Sequence, residues 1–253
     1  MVNDMRTNKL EIRNLCKSFS ESQVLKDVSF EIADGEFVAI MGQSGCGKST
    51  LLYCVSGMER PTSGEIIFEG QKMHELSDKE MEKQRLQHMG FIFQKPNFLK
   101  NLSVADNIVF PAFQLGKRSR DEIRDEAEEM MKQLGIFSVA DHDIRQVSGG
   151  QLQRAAICRA MINHPEILFG DEPTGALNFG ATQEVMGIVS KINHKGTSIL
   201  FVTHDAKVAA RAERIIYLED GQIKDELRLG KYKDSGQSGR EQEMQKWLEM
   251  MKF

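Results

Sequence analysis

The stretch "GQSGCGKST", residues 42–50, decides the fold, because it joins an apolar run to a segment with the composition of a helix. The run before it is "FVAIM", residues 37–41, which is short, fully apolar and typical of a buried strand. The segment "STLLYCVSGM", residues 49–58, follows. In this context the spacing G-x-x-x-x-G-K-[ST] predicts a phosphate-binding loop. The residues that meet the pattern are Gly42, Gly47, Lys48 and Ser49.

Each residue type in this loop has a physical reason to be there. Glycines let the backbone wrap closely around an anion, and the start of the helix adds a favourable dipole. Lys48 brings a point charge for the β- and γ-phosphates of a nucleotide, and the Ser49 hydroxyl is an oxygen ligand of the kind Mg²⁺ prefers. The alternative is a flexible turn with an exposed lysine. We expect the nucleotide to contact the whole loop: Gly42, Gln43, Ser44, Gly45, Cys46, Gly47, Lys48, Ser49 and Thr50.

Two acidic residues end another apolar run, "ILFGDE", residues 167–172. Asp171, at the end of a buried strand, is predicted to reach the Mg²⁺ that Ser49 also holds. Glu172 points differently and is predicted to polarise an attacking water. The alternative is that both acids cap the following turn.

A second predicted anion site lies at "VSGGQLQR", residues 147–154, where Ser148, Gly149 and Gly150 open a helix with unpaired N–H groups. An ordinary helix cap is the alternative. If both anion sites served one nucleotide within one chain, the helical lobe would have to fold back across the loop. A head-to-tail dimer, in which this segment covers the loop of the other copy, is the simpler geometry.

The rest of the chain alternates between apolar strands and helices, which predicts an α/β fold with a mainly parallel sheet. Residues 9–19, 24–32 and 63–73 resemble strands with tight turns, which adds an antiparallel portion. The segment from about 77 to 164 is mostly helical and strongly charged. Residues 214–228 are predicted to form a hairpin that turns at Asp220-Gly221.

Composition narrows the possible partners and location. The 253 residues include 28% charged residues and carry a formal charge of −4, which gives no basic field for nucleic acid. No apolar run approaches the roughly 18 residues needed to span a bilayer, and no secretory leader precedes the first strand. We therefore expect a cytoplasmic protein whose membrane link is a partner. The cysteines are too sparse for a disulfide framework and are expected to be reduced thiols.

Taken in order, these motifs resemble the nucleotide-binding subunits of ABC transporters, over residues 9 to about 228. The resemblance implies a Walker A loop at 42–49 and a signature at 148–151, with Val147 where the family usually has leucine. It implies that Asp171 contacts Mg²⁺ and that Glu172 is the catalytic base. It also adds three residues that are unremarkable alone.

These three are Phe19, Gln94 and His204. The family implies that Phe19 stacks on adenine, that Gln94 links Mg²⁺ to the helical lobe as a metal and catalytic residue, and that His204 contacts the γ-phosphate. Taken singly, Phe19 reads as a core residue, Gln94 as a surface amide and His204 as a capped strand end. The signature residues expected to contact nucleotide are Ser148, Gly149, Gly150 and Gln151.

The resemblance implies a P-loop NTPase core with an inserted α-helical lobe at about 95–164, a nucleotide-binding domain at 9–228 and a C-terminal extension at 229–253. It implies ATP and Mg²⁺ as cofactors, a homodimer around two ATP, and a membrane permease that holds the chain at the cytoplasmic face of the membrane. The motifs look most like the group serving lipoprotein release, macrolide export and bacitracin-type peptide resistance.

Other functions with the same ATP machinery stay open. An ATP-driven regulator of a membrane partner that controls an extracytoplasmic enzyme, as in cell division, would carry identical motifs. A DNA-handling ATPase would want a long coiled-coil insertion or two cassettes. An inactive nucleotide-binding subunit is disfavoured by Glu172 and His204.

One loop departs from the family pattern. After the two acids the family usually has S-A-L-D, whereas residues 175–178 of this chain are "GALN". Asn178 keeps the shape of an aspartate but loses its charge and gains a donor. Because this loop normally contacts the opposite subunit and its nucleotide, we expect Asn178 to affect coupling between the two ATP sites.

Two apolar surfaces are candidate contacts with the permease. A groove within 94–111 would receive a permease helix, although about half of its apolar residues are expected to pack the lobe instead. They are Phe98, Leu99, Leu102 and Phe110. In the C-terminal extension, four residues at helical spacing form an apolar face, which either packs on its own domain or contacts a dimer mate or the permease. These are Met244, Trp247, Leu248 and Met251.

Overall fold

The computed structural model of the chain describes residues 7–233 and 237–251. Residues 234–236 and 252–253 of the predicted C-terminal extension lie outside the described residues. The strands are β1 (Asn8–Phe19), β2 (Ser22–Ala33), β3 (Phe37–Met41), β4 (Ser63–Phe68), β5 (Gln71–Lys72), β6 (Met89–Phe93), β7 (Ile167–Asp171), β8 (Ser198–Val202), β9 (Arg214–Glu219) and β10 (Gln222–Arg228).

The helices lie mostly between the strands, and three of them follow one another after β6. They are α1 (Lys48–Val55), α2 (Asp78–His88), α3 (Val104–Leu115), α4 (Arg120–Gln133), α5 (Gly149–Met161), α6 (Phe179–His194), α7 (Ala206–Ala209) and α8 (Gln237–Met250). Short 3₁₀ turns lie at Met73–Glu75, Phe137–Val139 and Ile144–Gln146. None of the helices within 7–233 and 237–251 is both long and apolar enough to cross a membrane.

The central sheet has the strand order β10-β9-β3-β8-β7-β6, and only β10 is antiparallel to its neighbour. All five residues of β3 and of β8 are buried, as expected for parallel strands covered on both faces. Alternate side chains of β3 point to opposite faces: Val38 and Ile40 join one hydrophobic cluster, and Phe37, Ala39 and Met41 join another. The predicted α/β fold with a mainly parallel sheet is confirmed.

A separate antiparallel sheet has the order β2-β1-β4-β5. Its buried residues share one cluster with α1 and with one face of the central sheet. A turn at Glu69-Gly70 joins β4 to β5, and the hairpin turn at Asp220-Gly221 lies where the sequence predicts it. α1 is therefore enclosed by apolar surface, which fixes the start of the helix that follows the glycine loop.

The segment from 77 to 164 is mostly helical, as predicted, but it also contains a strand that the sequence did not predict. The stretch "MGFIF" forms β6 and completes the central sheet beside β7. Beyond β6, the helices α3, α4 and α5 enclose a hydrophobic cluster of their own. This cluster supports a helical lobe, while the boundaries 95–164 and the division at 228–229 remain predictions.

The end of the chain is folded back onto the core. Met244, Trp247 and Leu248 of α8 are buried in the cluster that covers the second face of the central sheet, and Met251 packs partly against it. Trp247 Nε1 donates to Asp225 Oδ2 at 2.7 Å, and its ring lies edge-on to Tyr217. The apolar face of α8 thus packs on its own chain.

Candidate active site

The candidate residues collect at one edge of the central sheet. β3, β6, β7 and β8 are mutually parallel neighbours, so their carboxyl ends meet at this edge. Gly42 follows β3, Gln94 follows β6, Glu172 follows β7, and His204 lies two residues beyond β8. Residues separated by up to 162 positions in sequence are brought together by strand order alone, as in other parallel α/β sheets.

The glycines of the loop are required by its geometry. Gly42 has φ +151°, and a Cβ there would lie 2.0 Å from the Leu218 carbonyl oxygen. Gly47 has φ +104°, a conformation that side chains rarely permit. The Lys48 ammonium folds into the loop, where Nζ donates to the carbonyl oxygens of Gly42 and Gln43 at 2.8 Å each. The loop is thus a formed cradle rather than a flexible turn, and its lysine is buried.

A polar cavity of about 330 Å³ lies beside the loop, lined by Gln43, Ser44, Gly45 and Cys46 and by the turn at 219–221. Burial raises the pKa of the Cys46 thiol, although the nearby Lys48 ammonium opposes the rise. A thiol with a raised pKa stays protonated and is a poor nucleophile. Cys46 therefore needs no chemical role here.

Asp171 is joined to α1 by two hydroxyl groups. Ser49 Oγ donates to Oδ1 at 2.8 Å, and the Tyr53 hydroxyl donates to Oδ2 at 2.6 Å. Burial, then the hydrogen bond with Asp171 and the charge of its carboxylate, raises the pKa of Tyr53 to about 12, so the phenol remains a donor. Hydroxyl and carboxylate oxygens are ligands that suit Mg²⁺. This pair of oxygens fits the metal that the sequence predicts.

Glu172 forms a different pair. Its Oε1 lies 2.8 Å from His204 Nδ1, and since an ionised carboxylate only accepts, Nδ1 is the donor. The backbone of Glu172 has φ +48°, an uncommon conformation for a glutamate, and its N–H bonds the Val202 carbonyl at 2.9 Å. This turn directs Glu172 away from Asp171. Neither acid caps the following turn, and the Glu172 side chain is 19% exposed.

Gln94 lies against the loop that follows Glu172, and Asn178 lies at the end of that loop. A Cβ on Gly175 would lie 2.8 Å from Gln94 Nε2, so the exposed amide of Gln94 reaches this loop. The side-chain oxygen of Asn178 accepts from the Ala181 N–H at 2.9 Å and caps α6. Asn178 thus has a structural role that the spacing did not predict.

The segment Ser148–Gln151 begins α5. Ser148 Oγ accepts from the Gln151 N–H, and Gln151 Oε1 accepts from the Ser148 N–H and hydroxyl, which is a capping box. The helix cap is therefore real. Ser148 and Gly149 are nonetheless exposed, and a Cβ on Gly149 would meet no atom within 4 Å. Gly150 lies against Ala181, so the exposed start of α5 is next to the start of α6.

Phe19 is not a core residue. Its side chain is 46% exposed, and the Lys17 ammonium lies 4.6 Å from the centre of its ring. An exposed ring at the end of β1 can stack on a planar ligand. The structure joins Ser49 to Asp171, Glu172 to His204 and Gln94 to the Gly175 loop. Phe19 and residues 148–151 take no part in these contacts, and Phe19, Ser148 and Gly149 are exposed.

Sequence reasoning missed Tyr53. It lies four residues after Ser49, so both side chains lie on one face of α1 and can meet the same carboxylate. The i, i+4 spacing from Ser49, which the sequence predicts as a metal ligand, was the available signal.

A glycine loop between a buried strand and a helix, with its lysine folded inward and its serine bonded to a strand-end aspartate, defines a P-loop NTPase. A family model described as "ABC transporter" matches residues 25–175. The chain belongs to the ABC transporter family and is an ABC ATPase domain.

Similar proteins include "Macrolide export ATP-binding/permease protein MacB" of Campylobacter jejuni subsp. jejuni serotype O:2, 40% identical over 84% of this chain and 33% of that protein. The protein of the same name from Mannheimia succiniciproducens is 41% identical over 87% of this chain and 34% of that protein. The chain thus spans about a third of the length of these relatives.

Two solved structures of the cassette MJ0796 are similar to this fold. One is described as the dimeric structure of a bacterial ABC transporter cassette and the other as a dimeric post-hydrolysis state bound to ADP and Pi. Each is 38% identical with a TM-score of 0.82 and covers 88% of this chain and 100% of that chain. The cassette cbiO1 of Clostridium perfringens is 29% identical with a TM-score of 0.79, over 87% of this chain and 88% of that chain.

Proposed function

We propose that this chain is the ATP-hydrolysing subunit of a membrane transporter and that it dimerises around two ATP. It would power a membrane permease that exports or removes a peptide antibiotic or a lipid-linked substrate. The observation that carries the proposal is that two bonded pairs of side chains lie next to each other at one edge of the central sheet. Ser49 is bonded to Asp171, and Glu172 is bonded to His204.

Ser49, Asp171 and Gln94 are the residues that would hold Mg²⁺. When bound, the ion would neutralise charge that develops on the phosphate oxygens. Lys48 is also proposed to bind the phosphates of the nucleotide. Its ammonium bonds two loop carbonyls in this structure, and we propose that it exchanges them for the β- and γ-phosphates.

Glu172 is the proposed general base. Its carboxylate accepts a proton from water as the water oxygen forms a bond to the γ-phosphorus, and the bond from that phosphorus to the β–γ bridging oxygen breaks to release ADP. His204 holds Oε1 of the carboxylate through Nδ1, which leaves the other carboxylate oxygen for the water. Glu172→Gln should retain ATP binding and lose turnover by about a thousandfold, the middle of the range for a general base. Rapid steady-state turnover in that variant would remove Glu172 from the role.

The proposed dimer explains why the start of α5 is exposed. A helix N-terminus with a glycine at its first position leaves N–H groups free for an anion. We propose that Ser148, Gly149, Gly150 and Gln151 of each copy cover the ATP in the loop of the other, with Phe19 stacked on adenine. The relative MJ0796 is described as dimeric, which supports this arrangement.

The membrane partner is proposed to dock on the groove between α2, α3 and β6. A cavity of about 330 Å³ lies there, lined in part by Leu86, Phe91, Pro111 and Arg159. Nearby, Leu99 and Phe110 are 44% and 39% exposed, whereas Phe98 packs partly against the lobe cluster. The name of the similar MacB proteins includes a permease, which supports a membrane partner that holds the chain at the cytoplasmic face.

The partner and substrate can be tested together. We expect the full chain to co-purify with a single integral membrane protein and Phe110→Arg to abolish co-purification, while Phe137→Arg, another exposed phenylalanine of the lobe, retains it. In the captured complex, ATPase activity should rise with a peptide antibiotic or a lipid-linked substrate. Co-purification with a partner that moves no such compound and activates an external enzyme would contradict transport.

A further inference from the structure

The C-terminal helix α8 lies outside residues 25–175 that match the family model, and none of the motifs explains it. One polar residue of α8 makes contacts unlike those of its apolar face. Arg240 points toward the short helix α7, whereas Trp247 at the other end of α8 contacts Asp225 and Tyr217 of the β9–β10 hairpin. The two ends of α8 are therefore attached to different parts of the core.

The Arg240 guanidinium bonds four backbone carbonyls at normal hydrogen-bond distances. Nε donates to Ala210 O at 2.9 Å, and Nη2 donates to Ala212 O at 2.6 Å. Nη1 donates to Leu229 O at 2.8 Å and to Gly230 O at 2.9 Å. One planar group thus joins the end of α7 to the segment that leads into α8.

α7 depends on contacts with other parts of the chain, beginning with Val208 and Ala209, which are buried in the cluster on the second face of the central sheet. The helix has four residues, and a single turn of helix is not stable without outside contacts. The last carbonyls of α7, those of Val208 and Ala209, accept from the Arg211 and Ala212 N–H groups. Arg240 bonds the carbonyls that come next, those of Ala210 and Ala212, just beyond the end of the helix. Arg211, in the same segment, also bonds Gln183 of α6 and stacks on Tyr232.

α7 begins directly after His204. The Asp205 side chain accepts from the Lys207 N–H at 2.8 Å and caps α7, so the cap adjoins the residue that bonds Glu172. A displacement of α7 therefore moves the His204 backbone. Only five residues lie between His204 and Ala210, the nearest residue that Arg240 bonds.

We propose that Arg240 is a positioning residue for hydrolysis, which fixes α7 and thereby holds His204 in place to bond Glu172. In this proposal α8 stabilises the position of His204 and does not serve as a docking surface. This inference rests on the proposed role of His204. It assigns the extension a task in the chemistry of its own chain.

The test compares Arg240→Ala with Trp247→Phe, which removes a hydrogen bond from the same helix but keeps an aromatic ring in the core. In the full-length chain, Arg240→Ala should lower kcat about tenfold and leave KM for ATP within twofold, because small misplacements of a catalytic group cost rate more than binding. The His204 imidazole resonances should shift in the NMR spectrum. Trp247→Phe should leave kcat within twofold and those resonances unchanged.

Arg240→Lys should recover only part of the rate, since an ammonium has three donors and no planar fork. A double variant separates this proposal from the proposed function. In a His204→Ala chain, adding Arg240→Ala should lower kcat no further. If the two substitutions lowered kcat by independent factors that multiply, the positioning role of Arg240 would be overturned while His204 kept its role. An unchanged kcat in His204→Ala alone would remove the proposed role of His204. A folded Arg240→Ala chain with normal kcat, or an equal loss in Trp247→Phe, would also overturn the proposal.

Discussion

At the scale of single residues, the contacts of Asp171 show how one helix turn prepares a site. Ser49 and Tyr53 lie four residues apart on α1, and each bonds a different oxygen of the carboxylate. Two donors on one carboxylate fix both its position and the direction of its remaining lone pairs. One turn of α1 therefore holds both oxygens of the Asp171 carboxylate.

Tyr53→Phe should weaken Mg²⁺ binding about tenfold in the presence of ADP, because a hydrogen bond to a charged group is worth about 1.5–3 kcal/mol. The ring stays, so packing on α1 is retained. The measurement is a calorimetric titration of Mg²⁺ into the chain with saturating ADP. Ser56→Ala, which removes a hydroxyl from the end of the same helix, should have no such effect. Equal Mg²⁺ affinity in Tyr53→Phe and the natural chain would show that Tyr53 does not position Asp171.

Asn178→Asp should raise the rate or the cooperativity of ATP hydrolysis in the assembled complex, because an aspartate restores the charge that the family loop usually carries. The fold should tolerate the change, since aspartate caps a helix as well as asparagine does and favours the helix dipole. Steady-state ATPase rates and Hill slopes of the two complexes decide the matter. Identical values would discard a role for Asn178 in coupling.

At the scale of elements, strands buried on both faces were predictable, because a short, fully apolar run is stable only where both of its faces are removed from water. β3 and β8 are examples. β6 was not predictable, since it is five residues long and follows the charged helix α2, which leaves little periodic signal. α3 contains Pro111, and α7 has only four residues. Their structure depends on contacts with distant segments, such as the bonds from Arg240, rather than on local sequence.

A buried ion pair joins β9 to the turn before β3. Arg214 Nε donates to Glu36 Oε1 at 2.8 Å, and the two residues are 3% and 4% exposed. Arg214→Ala should lower the free energy of unfolding by about 3–5 kcal/mol, because it leaves a buried carboxylate without its partner. Chemical denaturation measures this loss.

The matched control is Arg228→Ala, whose guanidinium is 70% exposed and lies 3.8 Å from Glu226. It should cost under about 1 kcal/mol, as surface pairs usually do. If Arg214→Ala lowered the free energy of unfolding by as little as Arg228→Ala does, the core would accommodate Glu36 without its partner.

At the scale of the whole molecule, the strand order brings the loop, the acids and the histidine to one edge, and the sequence predicted this edge from the motifs alone. The sequence did not predict the contact of Tyr53 with Asp171, which lies 118 positions away, or the contacts of Arg240 with the segment after α7. Ser148 and Gly149 are exposed at the start of α5, where the account requires a second copy of the chain.

The most direct test of that requirement is the molar mass of the Glu172→Gln chain in solution with Mg²⁺ and ATP, measured by light scattering with and without Gly149→Glu. A side chain at 149 meets open space, and a carboxylate at the start of α5 favours the helix dipole, so the fold should be kept while the γ-phosphate is repelled. Gly187→Glu, in open space on α6, is the control. The account predicts twice the chain mass of 28.6 kDa for Glu172→Gln alone and with Gly187→Glu, and the single-chain mass with Gly149→Glu. An ATP-dependent dimer that persists unchanged with Gly149→Glu would contradict it.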